Sequence, residues 1–331
     1  MPPVGIDLAR RAAAPTVWRV DRRDFLKASA AALFGLALGD RWRLAAEDSL
    51  PAGWRFGLVT DPHYADADPK GTRFYRESIG KMREAVDRLR AERVAFLAEL
   101  GDIKDMAPGE AETRTLSHLV AIEREFQRFG GPAYHVLGNH DMDNLSKVQV
   151  LAHITNSRIA AGRSYYAFSH GGIRFVTVDT NFMHDGRDYD HGNFDWRDIH
   201  LPPPELDWLR SELAAAAGPV IIFGHQRFDG DGVVQMVNRA EVREVFEDSG
   251  KVLAVFQGHD HKGAYSLING IHYYTLRAVI EGSGPENNAY AVVDVHRDLA
   301  LTVTGYRRAV SMELAHRTAS AAAQGRTPQN S

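Results

Sequence analysis

The chain of 331 residues contains no cysteine. Disulfide bonds are therefore excluded, and so are thiolate metal sites and a thiol nucleophile. Any bound metal ion would have to be held by His, Asp, Glu, Asn or backbone groups, which favours harder ions and ions that accept imidazole. The sequence also lacks an internal repeat and an obvious interdomain linker. Its 44% hydrophobic and 25% charged residues are typical of a soluble globular protein with a sizeable core.

A long apolar run is missing as well. The most apolar stretch near the N-terminus, residues 28–39, is short and rich in Ala and Gly, so it would span a bilayer poorly. It follows Arg22-Arg23 and the Phe-Leu-Lys of residues 25–27, a pattern that resembles the bacterial twin-arginine signal. The alternative is a short core helix with a basic cap. We predict a signal segment over residues 1–46, either cleaved near Ala45-Ala46 or retained as an anchor.

This signal predicts an extracytoplasmic, periplasmic-type location. The protein would be exported in its folded state by the twin-arginine export machinery, and no stable membrane span would remain after processing.

Loss of residues 1–46 would also change the net charge of the chain. Residues 1–46 carry a net +4 and the whole chain −4, so the remainder carries −8. Such an acidic body argues against nucleic acid as a partner, and a bound phosphate would need local cations.

The remaining chain contains short apolar runs that end in Asp, Asn or His. We interpret them as buried strands, and they lie at 54–61, 94–102, 132–141, 171–180, 219–226 and 252–261. Helical patterns separate some of them, at 78–93, 116–129 and 205–217. After residue 263 only strand patterns follow. Strands alternating with helices and then consecutive strands predict a layered α/β fold, with mixed sheets inside and helices outside.

Polar residues at the strand ends are the candidate functional residues. Strands of an open α/β sheet gather their carboxyl ends at one rim, and ligands bind there. A lone histidine at a strand end is more often structural than a ligand, but here several strand ends share the same chemistry. The residues expected to converge are Asp61, His63, Asp102, Asn139, His140, His225, His259 and His261.

These donor types fit a pair of divalent ions, which lie about 3.5–4 Å apart in such sites and share a ligand. Asp102 is the natural shared ligand, because a carboxylate has two oxygens whereas a neutral imidazole cannot bridge. Asp61 and His63, two residues apart, point the same way and can reach one ion. His259 and His261 have the same spacing, and the turn that carries them can direct them to different ions.

The motifs also occur in a definite order. They are Asp-Pro-His (61–63), Gly-Asp (101–102), Gly-Asn-His-Asp (138–141), a lone His225 and Gly-His-Asp-His (258–261). This ordered set resembles the calcineurin-like metallophosphoesterase family and covers residues 54 to about 265. The resemblance implies a calcineurin-like four-layer double β-sandwich, with two mixed sheets flanked by helices. We expect this domain over residues 47–312 and a disordered tail over 313–331.

The resemblance further implies which residues hold two divalent ions (Mn, Fe or Zn). The first ion would be bound by Asp61, His63, Asp102 and His261. The second ion would be bound by Asp102, Asn139, His225 and His259. His140 would protonate the leaving group or contact the phosphate, Asp105 would orient His140, and His225 would assist catalysis by holding an ion. No other cofactor is implied.

By the same resemblance, the protein would hydrolyse phosphate monoesters, diesters or pyrophosphates of small phosphorylated substrates, by attack of a metal-bound hydroxide. Two alternatives remain at this point: a non-catalytic extracytoplasmic metal- or phosphate-binding protein on the same fold, and a two-metal hydrolase of another bond. The second would normally present more carboxylates and no Gly-Asn-His-Asp motif.

Three segments give a narrower resemblance. Residues 61–66, 71–78 and 82–86 look similar to manganese-dependent ADP-ribose/CDP-alcohol diphosphatases, a group that tends to have Gln where this chain has His63. Arg73 and Arg76 would then contact a substrate phosphate, or else lie on the solvated start of a helix. Asn287 and Asn288, in a late loop, would contact substrate or form turns.

Overall fold

The computed structural model describes residues 53–230, 232 and 235–315. The predicted signal segment over residues 1–46 lies outside the described residues, as does residue 316 onward. Among the described helices, none is both long enough and apolar enough to cross a membrane.

The described residues form twelve strands and five α-helices. In chain order the strands are β1 (Trp54–Val59), β2 (Leu97–Glu99), β3 (Ala133–His135), β4 (Tyr166–His170), β5 (Ile173–Thr177), β6 (Val220–Phe223), β7 (Val252–Gln257), β8 (Ala264–Ile268), β9 (Ile271–Thr275), β10 (Ala289–Val295), β11 (Leu301–Arg307) and β12 (Met312–Leu314). The helices are α1 (Ser78–Ala91), α2 (Glu112–Gln127), α3 (Lys147–His153), α4 (Pro203–Ala215) and α5 (Arg239–Ser249).

The strands form two mixed sheets of six. The first sheet has the order β12-β11-β10-β1-β2-β3, with β1, β2 and β3 parallel and the other three strands added in antiparallel fashion. The second has the order β4-β5-β6-β7-β9-β8, with β5, β6, β7 and β9 parallel between antiparallel edge strands. Each parallel set brings its carboxyl ends to one edge of its sheet.

The two sheets pack against each other through alternate residues of their strands. Phe56 of β1 lies between them, with its ring centroid 5.9 Å from that of Phe223 on β6 and 5.7 Å from that of Phe256 on β7. Its neighbour two residues on, Leu58, joins the same buried cluster, whereas Val59 faces a second cluster under the helices. Because side chains alternate along β1, its residues contribute both to the core between the sheets and to the core under the helices.

Helices cover the outer face of each sheet. Leu89 of α1 and Leu119 of α2 pack with Leu97 on the first sheet, and Leu209 of α4 packs with Ile222 on the second. Four layers result, and the predicted double β-sandwich, with two mixed sheets flanked by helices, is confirmed.

The three predicted helices are present with ends shifted by a few residues, which is usual for boundaries. Helices α3 and α5 were not predicted. Helix α3 has only seven residues and begins at a capping box, in which Ser146 Oγ accepts from Gln149 N at 3.1 Å. At the other end of the domain, β12 passes the predicted boundary at residue 312 by two residues, because Leu314 is buried in the core between the sheets.

Candidate metal centre

The candidate residues lie where five parallel strands end, three in the first sheet and two in the second. Asp61 and His63 follow β1, Asp102 follows β2, and the Asn139–Met142 turn follows β3. In the second sheet, His225 follows β6 and the 258–261 turn follows β7. The expected convergence is therefore a meeting of two sheet edges. A further strand end does not take part, because Asp179 after β5 lies 2.7 Å from Lys147 Nζ.

The backbone of this region is strained. Left-handed φ angles occur at Asp61 (51°), His63 (45°), Asp102 (58°) and His259 (66°). Such angles are uncommon for residues with a Cβ and concentrate at functional sites. Each strand thus ends in an abrupt turn, and the turn aims its side chain across the edge of the sheet.

Glycines allow the turns to come close together. A Cβ on Gly258 would lie 2.2 Å from Thr60 Oγ1 and 2.7 Å from Asp61 Oδ2, and one on Gly138 would lie 2.2 Å from Asp102 N. No other residue type fits such an approach. The glycines that precede the motifs at 139–141 and 259–261 are explained by this packing.

Three side chains form a first donor cluster. Asp61, His63 and His261 offer ligand atoms within 4.8 Å of one another. His63 Nε2 lies 3.1 Å from His261 Nε2 and 3.6 Å from Asp61 Oδ1. The other nitrogens of these rings face carboxylates, since His63 Nδ1 is 3.2 Å from Asp105 Oδ2 and His261 Nδ1 is 2.6 Å from Glu281 Oε1. With protons on Nδ1, two Nε2 lone pairs face each other, an arrangement that a cation would stabilise.

Asp102, His225 and His259 form the second donor cluster. His225 Nδ1 donates to the Leu100 carbonyl oxygen at 2.8 Å, which leaves His225 Nε2 facing Asp102 Oδ2 at 3.1 Å. Burial, reinforced by nearby His225, lowers the pKa of His259 to about 3. His259 is therefore neutral and keeps a lone pair available for a metal ion.

Asp102 lies between the two clusters. Its Oδ2 is 3.1 Å from His225 Nε2 and 3.5 Å from His63 Nε2. Burial opposes ionisation of this carboxyl, but His225, His140 and His63 together hold its pKa well below its usual range. An ionised carboxylate thus faces both donor sets, as a shared ligand must.

Whether the centre fits metal ions can be judged from its buried polar atoms that lack hydrogen-bond partners. Burying such an atom costs free energy unless a ligand or ion binds it. Four of them belong to this region: Asp61 Oδ1, Asn139 Oδ1, His225 Nε2 and His259 Nε2. All four are donor types for divalent ions. The side chains present therefore fit two ions that share Asp102.

His140 lies beside His63 and Asp102, and its side chain is 27% exposed. Its ring centroid is 4.7 Å from that of His63, and its backbone N donates to Asp102 Oδ1 at 2.7 Å. Its Nδ1 is 2.8 Å from Asp143 Oδ2 and 3.5 Å from Asp105 Oδ2. Burial opposes protonation, yet the charges of Asp143 and Asp102 raise the pKa of His140 well above its ordinary value. These carboxylates therefore favour the protonated form of His140, which is the form that can donate a proton.

The carboxylates around the histidines differ in part from the expectation. Asp105 was expected to orient His140, but its shorter contact is to His63, and Asp143 is the nearer partner of His140. Asp143 stands three residues after His140, a spacing that the Asn139–Met142 turn brings together. Glu281, which holds His261, comes from the loop before β10, and no local pattern marked it.

The substrate-facing cavity has a volume of about 520 Å³. Lys70, Arg73, Tyr75 and Trp196 line it together with donors of both clusters. An adjoining cavity of about 500 Å³ shares Lys70, Arg73, Tyr75 and His140 with the first. The cleft thus continues past His140, and it carries cations at the junction of its two parts.

Only one of the two candidate arginines is available for a substrate. Arg76 donates to Asp66 at 2.5 Å and to Asp68 at 2.7 Å, so its charge is compensated. Arg73 has a half-buried side chain, and its Nη1 lies as far as 4.0 Å from Asp105 Oδ2. Of the two arginines, Arg73 is therefore the better placed to meet an anion in the 520 Å³ cavity.

The two late asparagines stabilise the loop before β10. Asn288 is fully buried and donates to the Lys81 carbonyl oxygen at 2.8 Å, and Asn287 donates to the Ser283 carbonyl oxygen at 2.6 Å. Of the two sequence interpretations, the structure supports that of loop and turn residues.

Comparison with known proteins gives a consistent result. The family model described as calcineurin-like phosphoesterase matches residues 55–263. A manganese-dependent ADP-ribose/CDP-alcohol diphosphatase of Oryza sativa subsp. japonica is 29% identical over 302 residues, which cover 75% of this chain and 90% of the relative. The Homo sapiens protein of the same name is 23% identical, and the match covers 77% of this chain and 90% of that relative.

Solved structures show the same likeness. A dimetal phosphatase from Danio rerio superposes with a TM-score of 0.68 at 25% identity, covering 80% of this chain and 99% of that protein. A purple acid phosphatase from yellow lupin shares the fold, with a TM-score of 0.55 at 13% identity, over 78% of this chain and 52% of that protein.

Proposed function

The chain belongs to the calcineurin-like phosphoesterase family, and we propose that it is a two-metal hydrolase whose preferred substrates are nucleoside diphosphate derivatives of the ADP-ribose or CDP-alcohol kind. The observation that carries the two-metal assignment is the pair of donor clusters joined by Asp102, with four buried donor atoms lacking partners. The substrate class is supported by the names of the relatives, which match over about three quarters of the chain. A cleft with cations at the junction of two cavities suits a diphosphate between two organic groups.

Two divalent ions would occupy the two clusters. The residues that would bind the first ion are Asp61, His63, Asp102 and His261. The residues that would bind the second ion are Asp102, Asn139, His225 and His259. When bound, such ions stabilise charge on the phosphate and lower the pKa of a water molecule. Imidazole, carboxylate and amide donors accept Mn, Fe and Zn alike, so the donor set leaves the choice among these open.

The residues of the chain supply binding and proton transfer. Arg73 would bind phosphate oxygens that face the cavity, because its charge is not fully compensated by Asp105. In the reaction, water adds to one phosphorus and the bond from that phosphorus to the bridging oxygen breaks. His140, held by Asp143 through Nδ1, keeps Nε2–H free to donate a proton to the departing oxygen.

A reconstitution screen tests this proposal. Purified protein would be loaded with Mn²⁺, Fe²⁺ or Zn²⁺ and offered ADP-ribose, a CDP-alcohol, simple monoesters and simple diesters. We expect ADP-ribose to yield AMP and ribose 5-phosphate, with kcat/KM above that for the simple esters. Asp102→Asn serves as the matched inactive control. A protein that binds two ions but turns over none of these compounds would instead be a metal- or phosphate-binding protein.

A further inference from the structure

One side chain at the metal centre has no part in metal binding or proton transfer. Trp196 lines the 520 Å³ cavity, and 41% of its surface is exposed. Its ring centroid lies 6.3 Å from that of His259, with the ring planes inclined by 58°. The large apolar ring thus stands at the mouth of a cluster that is otherwise polar.

The loop that carries Trp196 is braced on both sides. Tyr189 stacks on Phe194 with ring centroids 4.0 Å apart, and its hydroxyl donates to the Asp198 carbonyl oxygen at 2.9 Å. At the tip, Arg197 Nε and Nη2 donate to Asp195 at 2.8 and 2.7 Å. These contacts fix the backbone immediately before and after Trp196. The ring is therefore held in place by its loop and not by packing in the core.

With 41% of its surface exposed beside the metal centre, Trp196 forfeits part of the free energy that full burial of the ring would give, and a ligand in the cavity could recover it by covering the ring. The nearest cation, the Arg197 guanidinium, is 5.9 Å from the ring and already paired with Asp195. Among the described residues, no aromatic side chain is stacked parallel on this ring. A face of the indole is available to a ligand in the cavity.

The chemistry of the cavity indicates the class of ligand. Lys70 and Arg73 supply positive charge for phosphate, and the donor clusters supply the metal-binding end. Neither feature recognises the organic part of a substrate. A flat indole face suits a flat heteroaromatic ring, and base–aromatic stacking tolerates any base because every base has a π face.

We infer that Trp196 is a specificity-determining residue and stacks on the nucleobase of the substrate, while Arg73 and the metal centre hold the phosphates. This inference rests on the proposed function and deepens it. It assigns the nucleoside half of the substrate to the part of the cleft beside His259, and the other half to the adjoining cavity beyond His140.

The two products of ADP-ribose hydrolysis provide the test, because AMP and ribose 5-phosphate share the sugar phosphate and differ by the base. Their dissociation constants would be measured by calorimetry on the Mn²⁺-loaded protein, with metal content checked for every variant. We expect the unaltered protein to bind AMP about tenfold more tightly than ribose 5-phosphate, as stacking implies. Trp196→Leu should bring the ratio close to one, with the affinity for ribose 5-phosphate unchanged, and Trp196→Phe should retain part of the preference.

Trp208→Phe is the matched control. Trp208 lies on α4 against Tyr165, with ring centroids 4.8 Å apart, and does not line the cavity. This variant should keep the full AMP preference, and AMP should still quench the remaining tryptophan emission, whereas the quenching should be lost in Trp196→Leu.

An AMP preference that survives in Trp196→Leu would overturn the inference. So would equal binding of both products by an unaltered protein that hydrolyses ADP-ribose, and the diphosphatase proposal would then stand without it. If the unaltered protein cleaves nitrophenyl phosphates but neither ADP-ribose nor a CDP-alcohol, both the substrate class and the role of Trp196 are wrong.

Discussion

At the scale of single residues, four of the five histidines of the centre share one arrangement. In these four Nδ1 is engaged by the protein: by Asp105 for His63, by Leu100 O for His225, by Glu281 for His261 and by Asp143 for His140. Each contact fixes the orientation of its ring and leaves Nε2 for a ligand or a proton. Reactivity here is thus decided as much by the groups behind the rings as by the rings themselves.

The first prediction concerns the shared ligand. Asp102 faces both donor clusters, so Asp102→Asn should reduce bound metal at both sites, from about two ions per chain to well below one. Elemental analysis after dialysis measures this directly. His261→Ala is the comparison, because His261 belongs to the first cluster only and its loss should spare the second ion. A full pair of ions in Asp102→Asn would contradict the bridging role.

The second prediction separates proton donation from metal binding. A nitrophenolate leaves readily as an anion, whereas an alkoxide needs a proton in the transition state. His140→Ala should therefore slow alkyl esters by roughly 10²–10⁴-fold and nitrophenyl esters much less. Asp143→Asn should show a weaker form of the same selectivity, since Asp143 is the nearer partner of His140 Nδ1.

The control for the second prediction is His225→Ala. This variant loses a donor of the second cluster, so both ester types should suffer alike. The measurement is kcat/KM for paired substrates, with metal content confirmed. Equal losses on both esters in metal-replete His140→Ala would show that His140 binds phosphate and is not the acid.

At the scale of elements, short buried strands end in strained turns, and these turns are tied to one another. Asp141, in the turn after β3, accepts from Gly138 N at 2.7 Å and from Ile103 N at 3.0 Å, which connects the turns after β2 and β3. His259 N donates to Asp61 Oδ2 at 3.1 Å and connects the two sheets. Hydrogen bonds between loops therefore hold the positive φ angles that bring the donors together.

The third prediction concerns the contact between β3 and helix α2. His135 of β3 lies between Glu99 Oε2 at 3.4 Å and Glu123 Oε2 at 3.0 Å. Burial opposes the charged imidazole, but these carboxylates raise the pKa of His135 to about 10. A raised pKa stabilises the folded protein fully below the unfolded value of about 6.5, and this stabilisation is lost as the pH rises toward 10.

Urea unfolding at pH 6.5 and pH 9.5, in excess chelator so that metal binding does not contribute, measures this dependence. We expect the free energy of unfolding of the unaltered protein to fall over this range, and that of His135→Gln to fall much less. The pH dependence of Glu99 has the same sign, since burial raises its pKa to about 7, so some slope should remain below neutral pH. Parallel curves for the two proteins would contradict this account.

At the scale of the whole molecule, the metal centre joins the two sheets. Asp61, Asp102 and Asn139 come from the first sheet, and His225, His259 and His261 come from the second. Ions bound between them would link the edges of the sandwich, and the sheets otherwise meet through apolar packing. Function and stability are therefore coupled at this edge.

The fourth prediction follows from this coupling. Ligands that bind only the folded state raise its stability by mass action, so chelation should lower the Tm and added Mn²⁺ should restore it in a concentration-dependent way. Differential scanning fluorimetry measures the shift. Asp102→Asn should respond little to either treatment, and an equal response in that variant would argue against stabilisation through the shared site.

The fifth prediction concerns export, which the described residues do not address. The twin-arginine resemblance at Arg22-Arg23 leads us to propose that the protein crosses the membrane folded, with metal ions already bound. Donor sets of this kind take Zn²⁺ or Cu²⁺ more tightly than Mn²⁺ or Fe²⁺, so loading before export would let metal availability choose the ion. Changing both arginines to lysine should retain the protein in the cytoplasm, as cell fractionation would show; undiminished export would refute the proposal.

The layered architecture and a set of candidate donors could be predicted from the sequence alone. Alternation in β1 and the apolar stripe of α1 are local patterns, and each follows from the geometry of its own element. The ordered motifs from Asp61 to His261 likewise needed no coordinates, since residues that follow parallel strands lie at the carboxyl edge of their own sheet whatever the intervening loops do. That the edges of two sheets meet at the centre could not be predicted in this way.

How the side chains pair depends on the tertiary structure. Asp143 rather than Asp105 lies nearest to His140, Arg73 lines both cavities whereas Arg76 lines only the adjoining one, and Trp196 stands at the mouth of the first. These pairings depend on how long loops pack against one another, and the periodicity of the sequence does not encode the packing of loops. Strand and helix periods are local, whereas a hydrogen bond or a cavity wall depends on contacts between residues far apart in the sequence.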